Sequence, residues 1–170
     1  MQKHNAMQTP LILMLVTLPL LSACKADDGL PMPPIILPFE VQLAGAKIET
    51  DFRIEEQRKY SFELEFRFKN QTDRERVAKL VGHPRDEAMG VAIPLRIRVT
   101  RIAAEKVKIL DKEISQPTLT GFTADKFIKV IDSIQLPPGY YRVSIESLKD
   151  IPVLQGTQIE FAIVRAYIGK

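Results

Sequence analysis

The sequence predicts an all-β fold, an antiparallel immunoglobulin-like β-sandwich with one or two short helical insertions, and three observations predict it. Apolar and polar residues alternate with period two in run after run; proline and glycine punctuate the runs at turn spacing; and strand patterns do not alternate with helix patterns as a parallel sheet requires. Strands that are wet on one face need a second sheet to cover the dry one.

Two segments precede the domain. Residues 1–23 have a polar start with basic Lys3, an apolar stretch from Pro10 to Leu21 and a small-residue end, the layout of a secretory signal peptide. Leu21-Ser22-Ala23-Cys24 resembles the bacterial lipobox, so signal cleavage is expected between Ala23 and Cys24, with lipidation of the Cys24 thiol. Cys24 is the sole cysteine, so no intramolecular disulfide can form, and lipidation accounts for its presence. Several acyl chains at roughly 0.8 kcal/mol per buried methylene anchor a protein stably, where one chain is marginal. Lys25 directly after the cysteine, by resemblance to enterobacterial sorting, favours the outer membrane, with the domain facing the periplasm. Residues 24–37 hold the lipid site and a Pro-rich run that reads as a tether, with a reach of up to about 40 Å if extended at ~3.1 Å per residue.

The sandwich domain is expected over residues 38–170. Phe39, Val41 and Leu43 suggest a first strand, and Ile48, Thr50, Phe52 and Ile54 a second. The clearest is Lys59 to Phe68, where Tyr60, Phe62, Leu64, Phe66 and Phe68 share a face opposite Ser61, Glu63, Glu65 and Arg67. Thr72-Asp-Arg-Glu75 resembles a capping box, and Val77, Leu80 and Val81 then form the apolar stripe of a short helix closed by Gly82. Further strands are expected at Leu95 to Val99, Val107 to Ile114, Tyr141 to Ile145 and Ile159 to Ile163. Phe127, Val130, Ile131 and Ile134 recur at helical spacing and predict a second helix. Leu136-Pro-Pro-Gly139 fits a type II turn.

Composition narrows the chemistry. Of 170 residues 45% are apolar, so a core is available; the formal charge of +3 falls to +2 without Lys3, too weak a field for nucleic acid. No stretch after Cys24 has the ~20 apolar residues of a spanning helix. Beyond the signal the chain has one histidine, His83, in Gly82-His-Pro-Arg85, where a loop histidine is the simpler reading than a catalytic base. Zinc sites of the common His/Cys kinds lack ligands, so no metal and no cofactor is expected. Glu63 and Glu65 are a carboxylate pair that reads as a solvated strand face, and a carboxylate-dependent hydrolase is the least favoured function. The candidate binding surface comprises His83 and Arg85 in the aperiodic loop 82–94, with Arg96 and Arg98 on the following strand, their charges expected to be balanced by Glu63 and Glu65.

The segments DFRIEEQRKYSFELEFRF, IPLRIRV, LDKEIS, LPPGYYRVSIESLKD and GTQIEFAI resemble a proteobacterial family known as domain of unknown function 5625, a likeness spanning nearly all of the chain after Cys24. It implies an exported lipoprotein or secreted protein with a β-sandwich domain, and the family name supplies no mechanism. The expectation is an envelope-anchored, non-enzymatic module that binds a protein, such as a periplasmic immunity or inhibitor protein. The alternative is a structural or assembly lipoprotein of an envelope complex.

Overall fold

The computed structural model describes residues 29–82 and 90–167. Among these the chain forms nine strands: β1 Ile35–Pro38, β2 Lys47–Ile54, β3 Arg58–Arg67, β4 Leu95–Ile102, β5 Val107–Ile114, β6 Thr118–Phe122, β7 Lys126–Leu136, β8 Gly139–Ser147 and β9 Gln158–Arg165. One helix, α1 Gln71–Val81, joins β3 to β4, and a 3₁₀ turn, Pro152–Leu154, lies between β8 and β9. All pairings are antiparallel, in a five-stranded sheet ordered β1-β9-β3-β7-β6 and a four-stranded sheet ordered β2-β8-β4-β5. The fold is thus the expected all-β sandwich.

Alternation places the core where the sequence predicts. Tyr60, Phe62, Leu64 and Phe66 of β3 point inward with Phe161 of β9, and meet Phe52, Ile97, Val99 and Tyr141 of the other sheet. Phe52 stacks on Tyr141 at 5.6 Å between ring centroids, and Phe62 on Phe161 at 6.4 Å. Burial of each such side chain stabilises the fold by roughly 1.5–3 kcal/mol. Tyr141 is core to its ring, and its hydroxyl donates to the Pro137 carbonyl at 2.7 Å.

Four expectations are corrected. Phe127 to Ile134 is not helical but the middle of β7, because its neighbours on both sides, β3 and β6, supply ladder partners; Phe127, Lys129 and Ile131 face inward with period two. Phe39 to Leu43 is not a strand: Phe39 and Val41 are buried in an irregular connection, and the first strand, Ile35–Pro38, lies upstream in the run read as a tether. Its one proline, Pro38, is tolerated because β1 is an edge strand, bonded only to β9. The strand β6 was not anticipated. Finally, α1 is capped by Asn70 rather than Thr72: the Asn70 side chain accepts from the Asp73 amide at 2.9 Å, and the Asp73 carboxylate accepts from the Lys69 amide at 3.0 Å.

The strand ends define two poles. Ile35 pairs with Ile163 and Tyr60 with Arg165, so the start of β1 lies at the pole that holds the end of β9, the start of β3 and the turns 55–57, 103–106 and 137–138. The opposite pole carries α1, the connection 39–46 and residues 148–157 with the 3₁₀ turn.

Candidate functional site

The carboxylate pair on β3 lies on the outer face of its sheet, with Glu63 half-buried and Glu65 buried. Glu65 is 2% exposed: it receives Lys126 Nζ at 2.6 Å and has Arg67 at 3.6 Å. Arg67 continues the chain of charges to Asp125 at 2.6 Å and Glu160 at 2.5 Å. Partial burial pushes the Glu63 carboxyl above its ordinary value, against the lowering effect of a hydrogen bond with Ser61. A glycosidase pair must flank a cleft that admits a sugar. Here β7 and β9 close around Glu65 from both sides, and its Oε2 is engaged by Lys126 from the neighbouring strand; the geometry suits cross-strand bracing.

Arg96 and Arg98 project together from the outer face of β4, and their counter-charges are on β5. Asp111 Oδ1 lies 3.1 Å from Arg96 Nε and 3.4 Å from Arg98 Nε, with Glu113 3.9 Å from Arg96. The expected partners Glu63 and Glu65 belong to the other sheet and do not reach them. One strand further, Arg142 makes a bidentate pair with Asp51 at 2.6 and 2.8 Å, which holds the Asp51 carboxyl below its ordinary value. Arg101 leaves this lattice. Its guanidinium donates to the Pro138 carbonyl at 3.0 Å and lies across Gly139, where a Cβ would stand 3.1 Å from it.

The pole at α1 has a different chemistry. Arg74 lies over two aromatic rings, 5.8 Å from the Phe68 centroid and 5.6 Å from that of Phe122, and both rings tilt against Phe127. Phe122 is 60% exposed, and Leu43 and Val153 at the same pole are also exposed. Beside them Arg76 links Asp73, at 2.9 Å, to the Thr157 hydroxyl at 3.0 Å, over a shallow depression bounded by Lys69, Gln155 and Gly156. Exposed aromatic residues and arginine are the side chains that most often carry binding energy at protein interfaces. Sequence reasoning misses this group because Phe122 follows a glycine in an edge strand that the pattern does not reveal, and Arg74 sits inside the Thr72-Asp-Arg-Glu75 stretch with no local sign of its ring contacts.

The base of the loop 82–94 is clamped. The Val91 amide donates to the Leu80 carbonyl at 2.7 Å, and Gly90, with φ +70°, fits so closely that a Cβ would lie 2.4 Å from the Val81 carbonyl carbon. His83 and Arg85 lie outside the described residues, as do Ala23 and Cys24. Among the described residues no cluster of His, Cys, Asp and Glu could hold a metal ion, and no helix is long and apolar enough to cross a membrane.

Comparison with known proteins gives two findings. A family model described as domain of unknown function 5625 matches residues 36–165. A crystal structure of a protein from Sulfurospirillum deleyianum is similar with a TM-score of 0.67 and 22% identity, over 79% of this chain and 98% of that one, a likeness of fold. No curated protein matches the chain.

Proposed function

This chain belongs to the domain of unknown function 5625 family, and from that premise we propose that it is a lipid-anchored envelope protein whose sandwich binds another protein through the pole that carries α1. The anchor is Cys24, supported by the lipobox-like Leu21-Ser-Ala-Cys24 and by the absence of any other cysteine. Localisation at the outer membrane, facing the periplasm, follows from Lys25 at the next position.

The observation that carries the binding role is the polarity of the sandwich. Because β1 runs antiparallel to β9, the chain enters β1 at one pole, while Arg74, Phe122, Leu43 and Val153 are presented at the other. A non-enzymatic role is supported by the engagement of the Glu65 carboxylate in cross-strand ion pairs rather than at a cleft.

Crosslinking in native envelopes followed by mass spectrometry tests this reading. Lysines of the α1 pole, Lys69, Lys79 and Lys149, should link to one recurrent protein. Recurrent links confined to the Arg96 and Arg98 face would move the binding surface there, and repeated absence of any linked protein would refute the binding role.

A further inference from the structure

The tether is shorter than its composition suggests. The Arg53 amide donates to the Pro31 carbonyl at 2.9 Å, and Leu30 and Pro31 lie against Glu49, Thr50, Asp51 and Arg142 on the edge of the four-stranded sheet. The chain then crosses the pole to enter β1 at Ile35. Residues 30–38 thus belong to the folded body, and only residues 25–28 separate Cys24 from Gly29. Five Cα steps span at most about 18 Å even when fully extended, at ~3.6 Å each. A strand of eight residues is itself about 26 Å long. A lipid at Cys24 consequently cannot hold the domain clear of the bilayer in any orientation that turns residues 29–34 away from it.

We infer that this pole of the sandwich rests on the phospholipid headgroups, with the turns 55–57 and 103–106 against the surface and α1 directed away. The inference depends on the lipidation proposed above. Charge supports it: against Glu55, Glu56 and Glu105 this pole carries Arg53, Arg58, Lys59, Lys106 and Arg165, with Arg58 and Arg165 sharing the Glu56 carboxylate at 2.7 and 3.6 Å and Lys59 and Lys106 exposed. Lys106 is close enough to Asp51, beside Leu30, to contribute to the lowering of its carboxyl. Exposed apolar groups stand here too: Met32, Val107 and Tyr167, the last 94% exposed. Basic residues with apolar and aromatic neighbours suit an anionic lipid surface, where each Lys or Arg near the headgroups adds attraction.

The test uses the acylated mature protein reconstituted in vesicles carrying headgroup spin-labelled lipid, after intact mass has established the acyl groups. Single cysteines replace Ala104, in the turn 103–106, or Val153, in the 3₁₀ turn of the opposite pole, and each is labelled with a fluorophore. Quenching several-fold stronger at position 104 than at 153 is expected, and stronger with phosphatidylglycerol than with phosphatidylcholine alone. Charge reversal by K106E with R165E should reduce the difference between the two lipids. Equal quenching at both positions, stronger quenching at 153, or none at either overturns the inference, and indifference to headgroup charge overturns its electrostatic part. A bare Cys24 thiol in the mass measurement instead refutes the lipidation reading, so the two failures are distinguishable.

Discussion

The Lys129 ammonium, 1% exposed, donates to the carbonyl of Val81 at 3.1 Å and so closes the C-terminal end of α1 from inside the sandwich. A cation at a helix C-terminus is favourable, but here its position costs hydration, and burial lowers the ammonium to a pKa of about 8. Between about 8 and the ordinary 10.5 the unfolded chain keeps a proton that the folded chain has released. Stability should therefore rise with pH across this window, while below it the penalty is constant. Lys129→Met should remove the rise and stabilise the fold at pH 7 by about 1–3 kcal/mol, measured by urea unfolding at pH 7 and pH 10. A loss of stability at pH 7 would show that the bond to Val81 outweighs desolvation.

Glu63 has the opposite sense. Burial raises its carboxyl, so the folded chain holds a proton where the unfolded chain has lost it, and stability falls as pH rises through that range. Glu63→Gln mimics the protonated form. It should stabilise the protein at pH 7, where the carboxylate is ionised in the unfolded chain, and leave stability unchanged well below the ordinary carboxyl range. Paired urea titrations at pH 7 and pH 3 measure the difference.

The cap of α1 separates two readings of one stretch of sequence. Asn70→Ala removes the acceptor for the Asp73 amide and should cost about 1 kcal/mol, while Thr72→Ala should stay within about 0.5 kcal/mol. Equal losses would restore Thr72 as the cap.

How much of this was legible follows the same physics. The runs of β2, β3, β4, β8 and β9 were readable because one face of each is dry, and Phe62 or Val143 had to alternate with polar neighbours. β7 was misread because Lys129 occupies an inward position; with its polarity masking period two, Phe127, Val130, Ile131 and Ile134 fitted helical spacing. β1 was hidden by the prolines before it and by Pro38, which an edge strand accepts. The burial of Glu65 was invisible because the lysine that meets it, Lys126, is 61 residues away in sequence. The Arg74 step on Phe68 and Phe122 likewise depends on β6 arriving beside α1, a contact no local pattern encodes.

That step is the binding prediction. Phe122→Ala and Arg74→Ala should each weaken partner capture by about 30-fold or more, as loss of an interface anchor of about 2 kcal/mol does, with the unfolding midpoint shifted little because Phe122 is exposed. Quantitative capture from envelope extracts, with circular dichroism melts as control, measures both. Undiminished capture by both variants would place the contact elsewhere on the domain.

Attachment of this sandwich to a membrane by a thioether at Cys24 underlies the orientation and the role assigned to each pole. Intact-mass measurement of the protein purified from its native envelope tests it most directly. The account predicts a chain beginning at Cys24 with added diacylglyceryl and acyl mass. A chain that retains residues 1–23, or one that begins at Cys24 with an unmodified thiol, would contradict it.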